Sequence, residues 1–259
     1  MDPEAYEAYL GATYQDFTQY QENKKAQGYL QKAIQKDPNF ALAYNLLAWT
    51  YIFPGELRWR SPQEVYPLAK QAADKALELD KKNCGAHEAL GRINWRYDWN
   101  WETAEKEFLH ALELCPNSRG AHSDYSFYTA SNGRIAEAQA EAAKERELDP
   151  IRSEPLQSEA IINYHLRNYK ALIEVSRKFT ASYPNLWFAH YWLGVGFEGS
   201  GQTLEAIPGI KRLSSYRKAI QTLLPPWRTR MQPQAEGRRR RRSSINGCAN
   251  RKPVLSLLI

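Results

Sequence analysis

The chain has 259 residues, of which 43% are apolar and 12% aromatic, and it contains no run of about eighteen apolar residues that would cross a bilayer. Its net charge of +6 conceals two unlike segments: residues 207–259 hold 13 of the 35 Lys and Arg and one of the 29 acids, so that segment carries +12 and residues 1–206 carry −6. The global figure therefore gives no ground for a specific nucleic-acid partner.

The N-terminal "MDPEAYEAYL" has neither a basic n-region nor an apolar h-region. No signal peptide is predicted, and a cytoplasmic location follows as the expectation. Cys84, Cys115 and Cys248 are few, scattered and without CxxC spacing. They predict no disulfide framework and no zinc site, with a reducing compartment as the default.

Along the chain, "QKDPN" (Pro38), "ELDKKN" (Lys81), "ELCPN" (Pro116), "ELDPI" (Pro150) and "SYPN" (Pro184) recur. The last three are 34 residues apart, twice over. Lys81 to Pro116 is 35, which places one extra residue in the inter-helix turn within "YDWNW", 97–101, and Pro38 to Lys81 is 43, which places an insert of about nine residues at "FPGELRWRSP", 53–62. Each unit reads as two amphipathic helices. The first carries "YNLLAWTY" (44–51), "HEALGRIN" (87–94), "HSDYSFYT" (122–129) or "HYWLGVGF" (190–197). The second carries small residues at fixed offsets, as in Ala69/Ala73/Ala76 and Ala104/Phe108/Ala111, which let antiparallel helices approach closely. The proline element ends one unit and admits the next.

The pattern resembles the tetratricopeptide repeat (TPR) family, whose signature is W-x₂-L-G-x₂-Y followed by Ala, Phe, Ala and Pro. It falls on Tyr44, Leu47, Ala48, Tyr51, Ala69 and Ala76, on Leu90, Gly91, Ala104, Phe108, Ala111 and Pro116, and on Leu193, Gly194, Phe197, Gly201 and Ala206. The unit with Ala26, Leu30, Ala33 and Pro38 is weaker, and the one with Glu159, Leu172 and Ser176 departs most. The "YDWNW" variant is also similar to TPR regions of multidomain bacterial signalling and transcriptional regulators. The resemblance implies an all-α, right-handed superhelix over 1–206, in units of about 5–38, 39–81, 82–116, 117–150, 151–184 and 185–213. It also implies a concave groove lined by first helices. By the family's geometry the inward positions include Asn45, Trp49, Glu88, Arg92, Trp95, Ser123, Phe127, Gln157, Tyr164, Tyr191 and Glu198. This mixture of aromatic and polar groups suits an unidentified peptide or protein partner. The Lys/Asn/Arg set with which chaperone adaptors clamp a carboxylate is not assembled.

The remaining motifs point away from chemistry. "GVGFEG" (194–199) fits GxGxxG but lies inside an expected helix, not between a strand and a helix. His87, His122 and His190 share one repeat position, and equivalent positions on neighbouring repeats lie about 10 Å apart, too far to ligate one metal. No nucleophile motif such as GxSxG is present, so no catalysis, cofactor or metal is expected. A ligand-sensing domain of a regulator stands as the alternative to a protein-binding scaffold. The aromatic-rich "WRYDWNWETAEKEF" (95–108) divides the same way: Trp99 and Trp101 are expected to brace an inter-helix turn, Asp98 or Asn100 to cap the next helix, and Trp95 to face the groove. After Ala206 the repeat fails, with Pro208, "LLPPWRTRMQPQ", Arg238–Arg242 and "VLSLLI". Residues 207–259 read as a non-repeat Arg/Pro-rich tail, disordered or frameshifted, with only weak nonspecific polyanion binding by the arginine run.

Overall fold

Prolines and small polar caps punctuate this chain into helices. A computed structural model describes residues 2–202, so the expectations about 207–259 and the end of the last unit lie outside the described residues. Eleven α-helices follow one another: α1 (Pro3–Thr13), α2 (Tyr20–Lys36), α3 (Ala41–Glu56), α4 (Pro62–Leu79), α5 (Cys84–Ile93), α6 (Trp101–Leu114), α7 (Arg119–Ser131), α8 (Ile135–Leu148), α9 (Glu154–His165), α10 (Tyr169–Ser182) and α11 (Trp187–Gly199). A π-helical turn, Asn94–Asp98, extends α5, and no strand occurs among the described residues. Helices α2, α6, α8 and α10 end at Lys36, Leu114, Leu148 and Ser182, and the capping residues Asp37, Cys115, Asp149 and Tyr183 leave the helical region because each directly precedes a proline, Pro38, Pro116, Pro150 or Pro184. The starts are capped. Asn83 Oδ1 accepts from the Ala86 amide at 3.0 Å, Asn100 Oδ1 from Thr103 at 3.2 Å and Ser118 Oγ from Ala121 at 3.3 Å.

The helices form two compact units that divide between Leu166 and Arg167, inside the expected unit 151–184. The first holds α1–α9. In it α1/α2, α3/α4, α5/α6 and α7/α8 are antiparallel hairpins, and the first helices α3, α5, α7 and α9 also pack on one another in succession. Ala43, Ala69, Ala89, Ala104 and Ala121 are wholly buried, so helix axes approach to within a small side chain. Phe108 fills the space beside them at 0% exposure, and a side chain at Gly91 would collide with its ring. The described part of the second unit is the α10/α11 hairpin, with Phe179 as its fully buried anchor. The three glycines of "GVGFEG" lie inside or at the end of α11. A Cβ on Gly196 would come within 2.8 Å of Ile173, and one on Gly199 would run into the Tyr169 ring, so the glycines serve helix packing.

Three sequence expectations are corrected. First, the insert at 53–62 does not break the helix. α3 continues through Pro54 to Glu56, and the chain reverses only at Arg58, whose φ is +60°. Pro54 sits in the last turn, and its carbonyl accepts from the Trp59 amide at 2.9 Å and the Arg60 amide at 3.1 Å. Second, the extra residue of the 35-residue unit is absorbed as the π turn at 94–98, not in the inter-helix loop. Third, Cys84 and Cys115 form a disulfide, with Cα atoms 6.0 Å apart. They are 31 residues apart in sequence, but the hairpin brings the start of α5 beside the end of α6. The expectation of a reducing compartment, drawn from scattered cysteines, loses its premise.

Candidate functional site

On the first-helix layer of unit 1, residues four apart share a face. α3 carries Asn45, Trp49 and Phe53 with Glu56 at its end, α5 carries Glu88 and Arg92 with Arg96 in the π turn, and α7 carries Asp124. Arg92 ties the three helices together. Its Nε and Nη2 donate to Glu56 Oε1 and Oε2, each at 2.8 Å, and its Nη1 donates to Asp124 Oδ1. The same guanidinium lies 5.6 Å from the centre of the Trp49 ring and 6.0 Å from that of Phe53. Arg96 lies 3.9 Å over the Trp95 ring, and its Nε is 3.9 Å from Glu56.

Burial sets the electrostatics. It pushes the Glu56 carboxyl up, but the charge and hydrogen bonds of Arg92, helped by Arg96, outweigh it and hold Glu56 below its usual range. Burial likewise raises Asp124 against the pull of Arg92, and Asp124 Oδ2 is buried without a hydrogen-bond partner. Glu88 is the odd member. Burial, then the neighbouring Asp124, pushes it up to about 8 in spite of Arg92 and Arg119. Its carboxylate lies on the backbone of Gly120, where a Cβ would be 2.6 Å from Oε1. Asn45 makes the equivalent approach to Gly85 one repeat earlier, and its Oδ1 is also a buried acceptor without a partner. Deeper in the same unit, Glu145 is fully buried and accepts from Ser158 Oγ at 2.5 Å, and burial raises its proton affinity.

The structure sorts the residues expected from sequence. Asn45, Trp49, Glu88 and Arg92 come together, half-buried, on α3 and α5. Gln157 and Tyr164 are half-buried on α9, while Tyr191 and Glu198 belong to the second unit. Three are corrected. Trp95 is 4% exposed and meets Phe108 and Tyr128 edge-on, with ring centres 6.5 and 6.1 Å away, so it is core. Phe127 and Ser123 are each 6% exposed, too little to contact a partner. The turn aromatics also divide. Trp101 braces the next hairpin, with its ring 5.8 Å from Tyr128 and its carbonyl accepting from Tyr128 Oη at 2.9 Å. Trp99 is 71% exposed and braces nothing beyond a 6.4 Å approach to Trp101.

Sequence reasoning missed Phe53, Glu56, Arg96 and Asp124. Glu56 and Phe53 were hidden in the supposed insert, and Arg96, four residues after Arg92, was passed over for its neighbour Trp95. Nothing in the repeat singled out Asp124, because His87 and His122 share a position and Asp124 then corresponds to the buried Ala89. The repeated histidines are structural. His87 Nδ1 lies 2.7 Å from Glu107, His122 Nδ1 2.5 Å from Glu141, and the Nε2 atoms of His122 and His190 each 2.9 Å from the preceding proline carbonyl. Among the described residues no cluster of His, Cys, Asp and Glu could hold a metal ion, and no helix is long and apolar enough to cross a membrane.

Known proteins agree with this architecture. Residues 29–59 match a tetratricopeptide repeat family model. The fold is similar to that of PilW, described as a widely conserved type IV pilus biogenesis factor, at 15% identity over 87% of this chain and 100% of that one, with a TM-score of 0.60. It is similar to a tetratricopeptide repeat protein from Parabacteroides merdae at 18% identity, covering 83% of this chain and 80% of that one, with a TM-score of 0.52. It is also similar to the human IFIT1 dimer with m7Gppp-AAAA at 13% identity, covering 81% of this chain and 49% of that one, with a TM-score of 0.67. No curated protein matches the sequence. The chain thus carries a tetratricopeptide repeat within an all-helical fold of the tetratricopeptide kind.

Proposed function

We propose that the protein is a non-catalytic interaction scaffold that binds a peptide or protein segment along the first-helix face of unit 1. The observation that carries this reading is the Trp49/Phe53 surface beside the Arg92 network: two half-buried rings on one helix face, held in place by a guanidinium that is itself fixed by two carboxylates. Aromatic surface of this kind supplies contact area at little cost in side-chain entropy, because the rings are already immobilised. The fold supports the reading, since hairpins stacked in register offer an extended face on a rigid frame. The ligand-sensing regulatory alternative gains no support from any feature of this face.

Selection of peptides from a displayed random library on the full chain tests the proposal. Binders are expected to lose at least about tenfold in affinity on Trp49→Ala, a loss of about 1.4 kcal/mol. Leu109→Ala, at an exposed site on α6, is expected to leave them unchanged. Binders indifferent to Trp49→Ala refute the reading.

A further inference from the structure

The α1/α2 hairpin has two unlike sides. Tyr9 meets Phe40 with ring centres 5.1 Å apart, and Gln27 Nε2 donates to the Thr50 carbonyl at 2.9 Å, so Tyr9 and Gln27 mark the side turned to α3. Residues two apart on a helix point about 200° apart. Glu7 on α1, and Lys25 and Tyr29 on α2, therefore lie on the opposite side, and Lys32 extends that row by one turn. All four are exposed, and Glu7, Lys25 and Lys32 make no ion pair among the described residues. Apolar surface gathers on the same hairpin. Of the ten large apolar side chains exposed among the described residues, Tyr6, Leu10, Tyr14 and Tyr29 belong to it or to its connecting turn, a concentration that marks a contact surface. Charge is divided between the two helices. The exposed charges of α1 are the acids Glu4 and Glu7, and those of α2 are all lysines, Lys24, Lys25, Lys32 and Lys36. The hairpin also fixes its register. Glu4 pairs with Lys36 at 2.7 Å, and Tyr29 lies on Gly11, where a Cβ would be 3.2 Å from the ring. From those two contacts, Glu7 is level with Lys32 and Tyr14 with Lys25, each to within one residue.

We propose that this side of the α1/α2 hairpin is the contact of a homodimer, occupied by a second copy of the chain. Two copies can meet face to face about a twofold axis in two ways. An axis parallel to the helices lays α1 on the partner's α2 at the same height. An axis across the helices lays α1 on α1. Charge selects the first, because the second sets acids on acids and lysines on lysines. The selected arrangement puts Glu7 opposite the partner's Lys32, and Tyr14 beside the partner's Lys25 in reach of a cation–π contact. Each of these pairs occurs twice, once on either side of the axis. Tyr29, seated between the two helices on Gly11, lies nearest the axis and meets its own counterpart. One short hairpin per copy makes a small contact whose ion pairs are exposed, so the dimer is reversible. The surface is separate from the Trp49/Phe53 face of α3, and neither reading depends on the other.

Sedimentation velocity of the full chain tests the proposal, over a concentration range of about 1–200 µM in low salt. The native chain is expected to pass from monomer to dimer within that range. Glu7→Lys and Lys32→Glu, both at exposed positions, are expected to keep the native circular dichroism. Each turns both ion pairs of the dimer into like-charge pairs and is expected to raise the dissociation constant at least about tenfold. An equimolar mixture of the two variants is expected to dimerise again. In the mixed dimer the two substituted positions face each other with opposite signs, and so do the native Glu7 and Lys32. An ion pair within one chain cannot produce that rescue. Lys24→Glu makes the same charge change about 100° round α2. It is expected neither to weaken association of the native chain nor to restore it to Glu7→Lys. A chain that stays monomeric throughout leaves the face to another occupant and overturns the inference. Association that survives both single variants places the contact on another surface and overturns it as well. So does a mixture that stays monomeric, or a Lys24→Glu effect equal to that of Lys32→Glu, which would reduce the result to net charge.

Discussion

Replacing Cys84 and Cys115 with serine removes the covalent closure of the α5/α6 hairpin. The bond joins positions 31 apart, and the loop entropy it withholds from the unfolded chain corresponds to about 3–4 kcal/mol at 25 °C. For a unit the size of α1–α9, each kcal/mol moves the melting midpoint by about 2–4 °C, so Cys84→Ser/Cys115→Ser is expected to melt roughly 7–15 °C below the oxidised protein. Thermal melts followed by circular dichroism on the oxidised chain, the dithiothreitol-reduced chain and the double variant provide the comparison. The last two are expected to coincide. Thiol titration under denaturing conditions supplies the covalent check. The chain has three cysteines and the disulfide uses two, so one reactive thiol, Cys248, is expected before reduction and three after. Three thiols before reduction, or melts within about 2 °C of each other, would refute the reasoning.

Other outcomes follow from the same network. Arg92→Ala leaves Glu56 and Asp124 facing each other without their shared cation. It is expected to cost about 3–5 kcal/mol in chemical denaturation, and a loss under about 1 kcal/mol would show the cluster to be solvated. Folding raises the proton affinity of Glu88, so its contribution is complete below the ordinary carboxylate range and is lost as pH rises to about 8. Glu88→Gln is therefore expected to flatten the fall in stability between pH 5 and 9 by about 1–3 kcal/mol, read from urea midpoints across that range. Trp95→Ala is expected to cost about 3–5 kcal/mol as a core deletion. Trp99→Gly, which relieves a bulky exposed residue at φ +56°, is expected to stabilise by about 1 kcal/mol. If the two tryptophans ranked the other way, the division of this corner into core and surface would be wrong.

Much of the fold was legible because a repeat states the same physics several times. A proline two residues after α2, α6, α8 and α10, alanines at close approaches and an Asn or Ser at several helix starts are local choices, and their recurrence every 34 residues over Pro116, Pro150 and Pro184 fixes hairpins without tertiary information. The site was less legible. Asn45, Trp49, Glu88 and Arg92 were predictable because they repeat in phase with the helices. Trp95 was misplaced because, three residues after Arg92, it turns into the core against Phe108 and Tyr128, while Arg96, four residues after Arg92, stays on the Glu88/Arg92 face.

What the sequence determined by itself was therefore what is periodic: the all-helical class, the hairpins and the phase of most first-helix positions. Only the tertiary structure decided what depends on distances between repeats. The Cys84–Cys115 bond, the sharing of Arg92 between Glu56 and Asp124, and the unmatched carboxyl of Glu88 all join positions at least 31 residues apart in the chain or set by such a join. Local propensity carries no information about such pairs. They form because stacking one hairpin on the next excludes water from whatever side chains face inward, and burial then fixes which charges must find each other and which is left without a counter-charge.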